Sequence, residues 1–403
     1  MMPPNAAPTP RPRLPRAIWA LGVVSLLMDV SSEMIHGLMP GFLVTTLGAS
    51  ALSVGLIEGV GEATAAVTKL FSGVLSDRSG RRKPLTVLGY GLAVLSKPLF
   101  ALAPAVGWVL GARVTDRVGK GIRGAPRDAL VGDLAPPGMK GAAYGLRQSL
   151  DNVGAFVGPL LAMLLMARLA DDYRAIFWVS VVPGALAVLV LVLAVREPPR
   201  SHTAPAPFPL DRTLLVRLGR RFWLVVVLGS LMTLARFSEA FVILRSQERG
   251  LALALAPVVL VVIHVVSSLS SYPVGVLSDR LGRRGLLALG FGMLAAADAV
   301  LACALDSATA LLGAALWGLH LGMTQGLLAA LVAETAPADT RATAFGVFNL
   351  TTGLTLLLAS LLAGGLWEWA GPVATFWCSA ALAAVGALAF YALTRDEGEP
   401  AAA

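Results

Sequence analysis

Charge is scarce in this chain: Asp, Glu, Lys and Arg make up 14% of its 403 residues, against roughly 25% in an ordinary soluble domain. Cysteine and histidine are scarcer still, with 2 and 4 copies. Cys303 and Cys378 both sit inside apolar runs, which excludes a disulfide framework and a cysteine-based metal cluster. No Ser/His/Asp or Cys/His constellation can be assembled with any specificity, so the chain is expected not to be an enzyme. What the sequence has in place of charge is apolar side chains, 56% of all residues.

Those residues fall in runs of about 20, each able to cross a ~30 Å hydrocarbon core as a helix. They are read at 18–39, 52–75, 84–103, 107–130, 142–167, 174–195, 221–244, 252–277, 285–304, 307–333, 342–366 and 372–393. The expected fold is therefore an all-α integral membrane protein with twelve transmembrane helices in two pseudo-symmetric six-helix halves. Its boundaries are a tail at 1–17, a first half at 18–195, a linker at 196–220, a second half at 221–393 and a tail at 394–403. The linker, with Pro198, Pro199, Pro205, Pro207 and Pro209, is too short for a domain and too proline-rich for one long helix. The first run is too long for a signal-peptide core and no small-residue cleavage site follows it, so it is read as retained.

Basic residues mark one side of this arrangement. Arg11, Arg13 and Arg16 share it with Arg78, Arg81, Arg82 and Lys83, with Lys140, with the linker arginines and with Arg280, Arg283 and Arg284. The positive-inside rule then puts both termini and the linker in the cytoplasm, of a cell inner membrane. Arg168, Arg174, Arg245 and Arg249 fall near the other side as exceptions. The net charge of +8 is thus a topology signal, and no nucleic-acid partner is expected.

The two halves are copies. Residues 73–82, Gly73-Val-Leu-Ser-Asp77-Arg78-Ser-Gly80-Arg81-Arg82, return as 275–284, Gly275-Val-Leu-Ser-Asp279-Arg280-Leu-Gly282-Arg283-Arg284. Nine of the ten positions match, about half a chain apart, and each copy closes a long apolar run. A basic loop satisfies topology, but topology does not call for Asp77 or Asp279. A carboxylate beside a helix N-terminus gains ~0.3–1 kcal/mol.

Charges inside the runs are the second informative class, since one at the bilayer centre costs at least ~2.5–3.5 kcal/mol on insertion scales. Span one carries Asp29 and Glu33 on one helical face, with His36 a turn further on. Span two carries Glu58 and Glu62, with Lys69 on the same face. Span four carries Arg113, Asp116, Arg117, Lys120 and Arg123, span five Arg147 and Asp151, and span seven Arg236 and Glu239. His264 and His320 lie near the middles of spans eight and ten. Most of these are expected to line a central cavity or to pair across helices.

Each cluster also has a plainer reading. Arg117 with Asp116, and Arg147 with Asp151, read equally as ion pairs that hold helices in register. Asp29 and Glu33 have no basic residue in their own span, so the pair is expected to bind one proton per cycle or a cation, unless Lys97 or Arg147 reaches it. Glu58 and Glu62 divide evenly between coupling and pairing with Lys69. A lone buried histidine is more often a satisfied polar residue than a ligand. Gly119-Lys120-Gly121-Ile-Arg-Gly124 lacks the spacing of a phosphate loop. Met28, Met34 and Met39 with His36, and Met323 with His320, resemble soft-metal ligands, but methionine is a common apolar filler. No metal or cofactor is assigned.

The repeated Gly-x-x-x-Asp-Arg-x-Gly-Arg-Arg loop resembles the motif of the major facilitator superfamily of secondary transporters, and three further stretches agree. Arg117-Val-Gly-Lys120-Gly121 is similar to the family's Arg-x-x-Gln-Gly, with Lys replacing Gln. Asp133-Leu-Ala-Pro-Pro-Gly-Met-Lys140-Gly141 fits the loop into span five. Gly154-x-x-x-Gly158-Pro159-x-x-Ala162 is similar to the motif of proton-coupled antiporters, with Ala where Gly is frequent. The resemblance implies two rocking halves around a midplane site. It also implies Asp77 near the start of span eleven, around Thr340–Ala342, and Asp279 near the start of span five, around Lys140–Ala142, each latching the opposite half. Arg117 stands where related antiporters place an arginine beside the protonating acid.

The function expected from these readings is secondary active transport, with proton-coupled export of a small amphipathic or cationic molecule. The partners are the lipid bilayer, a small-molecule substrate and protons, and the working unit is a monomer. The alternative is a proton-coupled importer of a metal ion, metal chelate or cofactor precursor. A sensor or enzyme on the same scaffold is a remote third.

Overall fold

A computed structural model describes residues 14–79, 81–136, 139–197, 216–281, 283–336 and 341–395. In chain order the long helices are α1 (Arg16–His36), α2 (Ala51–Ser79), α3 (Arg82–Ala101), α4 (Val106–Leu134), α5 (Lys140–Arg168), α6 (Tyr173–Ala194), α7 (Gly219–Ala235), α8 (Val258–Leu281), α9 (Arg283–Cys303), α10 (Ser307–Thr335) and α11 (Arg341–Arg395). Nine helical segments among the described residues are long and apolar enough to cross a membrane. One of them, Ala344–Tyr391, is 48 residues long, about twice the length one crossing needs, and it turns back at Gly371, whose φ is 85°. The segments absent from those nine, α2 and α4, are also 29 residues long. Their ionisable residues are what set them apart. The observed helices thus agree with a twelve-span plan.

Two spans expected to be single helices are broken, and they occupy the same place in the two halves. Span one runs as α1, then as a short helix Met39–Gly41 that continues into a wider-wound turn at Phe42–Thr46. Pro40 lacks the N–H that an uninterrupted helix would use. Span seven stops at Ala235, passes through Arg236 in extended conformation (φ −99°, ψ 93°) and resumes as Ala240–Glu248. The Ser238 hydroxyl accepts the Ala240 N–H at 3.3 Å and starts the second piece.

Two of the arginines that break the charge rule have a local reason. Arg174 donates to the carbonyls of Ala101 and Ala103 at 3.0 and 2.8 Å, closing the end of α3. Arg245, fully buried, donates to Leu301 and Ala302 at 2.9 and 2.8 Å and closes the matching end of α9. Guanidinium groups here satisfy the orphan carbonyls of helix C-termini. The start of α10 is closed by Asp306, which accepts the Thr309 N–H at 2.8 Å. That backbone hydrogen bond holds its carboxyl below the ordinary value.

The apolar cores show where the halves meet. Near the end that holds the start of α1, one cluster contains Ile18, Leu21, Met28, Tyr90 and Leu191, all from the first half. Another contains Phe222, Val225, Val332 and Val347, all from the second. At the opposite end Met39, Phe42, Phe100 and Phe177 form one cluster with Ala240 and Leu244, and Leu253 and Trp367 pack on it. Among the described residues the halves are therefore joined in one core at the end away from the start of α1. Between them α2 and α11 stay in contact along their length, with Gly364 on Leu52, Gly59 on Leu357 and Gly353 on Ala66. Residues without Cβ allow that closeness.

Candidate functional site

A cavity of about 580 Å³ lies between the halves. Its walls come from α1, α2, α4, α5, α7, α8 and α11. On α2, α4, α5 and α11 the lining runs from mid-helix toward the end nearest the start of α1, because Lys69, Asp128, Gln148 and Asn349 extend it in that direction. The joined core closes the other end.

The face of α4 organises the charges. Arg113, Arg117, Lys120, Arg123 and Arg127 recur every three or four residues and so share one stripe, with Asp116 beside Arg117 at its edge. Arg113 binds Glu58 at 2.6 Å, and its other contact is the Nδ1 of His36 at 3.2 Å. Both members of this pair are buried. Asp116 receives Lys97 at 2.9 Å, and Lys97 also reaches the Ser32 hydroxyl at 3.1 Å. Arg117 sits between two carboxylates, Glu62 at 3.2 Å and Asp116 at 3.9 Å. Arg123 lies over the Tyr90 ring at 4.7 Å, a cation–π contact. Arg127 reaches Ser25 at 3.3 Å and Asp128 at 3.1 Å. Among the described residues Lys120 has neither a hydrogen bond nor an ion pair, and it faces the cavity.

Across from this stripe stand Asp29 and Glu33. Neither makes a hydrogen bond or ion pair among the described residues, and Oε2 of Glu33 is buried without a partner. Lys97 and Arg147 do not reach them: Lys97 is held by Asp116, and Arg147 binds Asp151 and Gln148 on its own helix. The two acids are set by packing. A Cβ on Gly154 would lie 2.6 Å from the Leu26 carbonyl and 2.9 Å from Cβ of Asp29; one on Gly158 would lie 2.9 Å from the Val30 carbonyl. The small residues before Pro159 therefore draw α5 onto α1 at the level of both carboxylates.

Of the residues singled out in the sequence, Asp29, Glu33, Glu62, Lys120, Asp151, Arg236 and His264 line the cavity. Glu58, His36 and Arg117 belong to the buried ion-pair network behind it. Arg147 backs Asp151, and Glu239 follows the break in α7. His320 is placed elsewhere: it is fully buried in the second half, with Nδ1 at 2.8 Å from the Gly290 carbonyl. Its own carbonyl accepts the Thr324 hydroxyl at 2.8 Å, so its polar contacts stay within the second half. Gly80 and Gly282 lie outside the described residues, as do the side chains of Asp77, Arg78, Asp279, Arg280 and Arg283 and the surroundings of Gly73 and Gly275; Arg81 is described and exposed.

The cavity also contains residues that the sequence reading left out: Arg127, Asp128, Gln148, Asn152, Asn349 and Thr352. Arg127 and Asp128 carried the same signal as their neighbours, a charge within a span. The amides and hydroxyls gave none, because short polar side chains are unremarkable in a membrane helix.

Comparison with known proteins is in keeping with this geometry. The profile of the Major Facilitator Superfamily matches residues 21–355 and 265–403. An uncharacterized MFS-type transporter of Methanocaldococcus jannaschii is 32% identical over 384 residues, covering 93% of this chain and 94% of that protein. Multidrug resistance protein MdtL of Shigella dysenteriae is 25% identical, with 81% of each chain covered. The solved nucleoside transporter NupG superposes with a TM-score of 0.77 at 13% identity, covering 94% of this chain and 99% of that one.

Proposed function

The chain belongs to the Major Facilitator Superfamily and is a membrane transporter, and on that premise we propose that it exports a small amphipathic molecule by alternating access in exchange for protons. The observation that carries the reading is the cavity itself, where among the described residues Asp29 and Glu33 make no hydrogen bond or ion pair while Glu62, Asp128 and Asp151 on its walls are paired. A half-buried carboxylate that makes no hydrogen bond or ion pair can gain and lose a proton without breaking a contact, which suits a group that responds as its surroundings change. With the basic end of the bundle in the cytoplasm, this is the inward-open state. A proton bound to the pair from outside would then be released inward.

The cavity also modifies the preference for a cationic substrate. Lys69, Lys120 and Arg236 face the same space and have no ion pair among the described residues. A molecule bearing an acidic group as well as an apolar or basic part engages both walls. The relative MdtL, named for multidrug resistance, supports the outward direction. Import of a metal chelate or cofactor precursor would use the same bases, and is the second reading. A bare metal ion draws no support from the described residues, where no group of three or more His, Cys, Asp or Glu comes together.

The test is transport into everted membrane vesicles, using a panel of zwitterions, organic anions, lipophilic cations and metal chelates under an imposed pH gradient. Accumulation of a panel member that collapses when a protonophore dissipates the gradient is expected. Accumulation indifferent to the gradient would overturn proton coupling. Accumulation only when the gradient is reversed would establish import.

A further inference from the structure

The second half contains one acid that the cavity does not use. Asp298 is fully buried on α9. Its Oδ2 is hydrogen-bonded to the Ser379 hydroxyl, and its Oδ1 is buried with no partner. The same hydroxyl is hydrogen-bonded to the carbonyl of Ala235, the last residue of α7 before its break. In an unbroken helix that carbonyl would accept the N–H of residue 239; here the break leaves it orphaned.

Counting protons fixes the state of the acid. A serine hydroxyl has one proton and can donate once. If Ser379 donates to an ionised Asp298, two oxygens meet at the Ala235 carbonyl with no proton between them, and that carbonyl goes unsatisfied. If Ser379 donates to Ala235, the proton between Ser379 and Asp298 must come from Asp298. Only the second arrangement puts a proton in both contacts of the Ser379 hydroxyl, and it leaves the unpartnered Oδ1 of Asp298 uncharged.

Among the described residues none of the charged groups on the packed elements is hydrogen-bonded or ion-paired to Asp298. Arg236 faces the cavity, and Arg245 binds the Leu301 and Ala302 carbonyls. His320 meets the Gly290 carbonyl, and Glu368 accepts the Leu52 N–H at 2.8 Å. Among the described residues Glu239 makes no hydrogen bond or ion pair, and the Asp298 carboxyl makes none besides that with Ser379.

We propose that Asp298 is a proton-binding site of the second half, separate from Asp29 and Glu33, and that its proton, passed on as a hydrogen bond through Ser379, holds the broken end of α7. The bent form of α7 then carries one proton, drawn from water, that a straight α7 does not require. In a straight helix the residue 239 N–H takes the Ala235 carbonyl, and Ser379 is released to donate to an ionised Asp298. Arg236, the first residue past the break, stands in the cavity only while α7 is bent.

Infrared spectroscopy of the purified full-length protein in lipid nanodiscs tests this without a substrate. The C=O stretch of a protonated carboxylic acid, above the amide band and downshifted in D2O, is expected at neutral pH and should vanish in Asp298→Asn. In Ser379→Ala the band should persist at the higher frequency of an acid that has lost its acceptor. Asp298→Asn keeps a donor toward Ser379 and should melt with the wild type, whereas Asp298→Ala and Ser379→Ala should melt lower. Absence of a band attributable to Asp298, or a melting temperature of Asp298→Asn as low as that of Asp298→Ala, would overturn the proposal. Neither readout depends on proton-coupled export.

Discussion

A Cβ atom placed on Gly158 would lie 2.8 Å from the Cβ of Glu33, closer than two side chains can approach without a shift of backbone. Gly158→Ala therefore has to push α5 from α1 at the cavity wall. Overpacking of this kind costs about 1–3 kcal/mol, and a lowered melting temperature with reduced transport is expected. Gly91→Ala is the control, since nothing lies within 4 Å of its would-be Cβ. Equal behaviour of the two variants would remove the packing argument.

Asp29→Asn and Glu33→Gln, made singly, should abolish gradient-driven accumulation while leaving exchange of substrate at equal pH intact. The basis is that neither acid makes a hydrogen bond or ion pair among the described residues, with Oε2 of Glu33 buried and unsatisfied. Both variants concentrating substrate normally would assign the proton elsewhere.

Glu58 and Arg113 form a buried pair at 2.6 Å. Glu58→Gln leaves a buried guanidinium without its counter-charge, a loss of about 3–5 kcal/mol in comparable pairs. Replacing both members by Met should recover most of that stability, because the desolvation cost leaves with the charges. Graded denaturant unfolding separates the cases. A double variant as weak as the single one would point to a role for the His36 contact that the pair alone does not explain.

Arg117 bridges Glu62 and Asp116. A lysine at that position keeps the charge but not the planar fork that addresses two carboxylates at once. Arg117→Lys should therefore express and fold yet transport at least tenfold more slowly. Wild-type rates would make Arg117 a purely structural ion-pair residue.

The fold was legible because membrane helices must satisfy their backbone internally, so each long apolar run could only be a span. Most helix ends fell within a few residues of the runs. The breaks in α1 and α7 were not legible, since the apolar residues on either side of Arg236-Phe-Ser-Glu239 keep Gly219–Glu248 as a whole at the hydropathy of a span, while Ser238 restarts the helix. Of the site, the α4 stripe and the α1 acids could be read from charge within apolar runs. Which charge met which could not: Lys97 chose Asp116 over the α1 acids because helix packing decides distance, and spacing along one helix says nothing of the next. Asp298 was visible by the same rule that found Asp29. A single acid without a neighbour on its own face offered no pattern to notice.

On the side away from the start of α1, the described helices are joined by little chain. Residues 47–50, 102–105, 169–172 and 304–306 complete four of the turns, and at Gly371 a single residue reverses the direction of α11. A protease needs an extended stretch of backbone to grip, and a tag inserted into a turn needs slack on either side; these turns offer neither. Intact cells treated with protease should leave the described part of the chain uncut from that face. Insertions there should disrupt helix pairing before they report on topology, which leaves the opposite face as the practical place to attach a label.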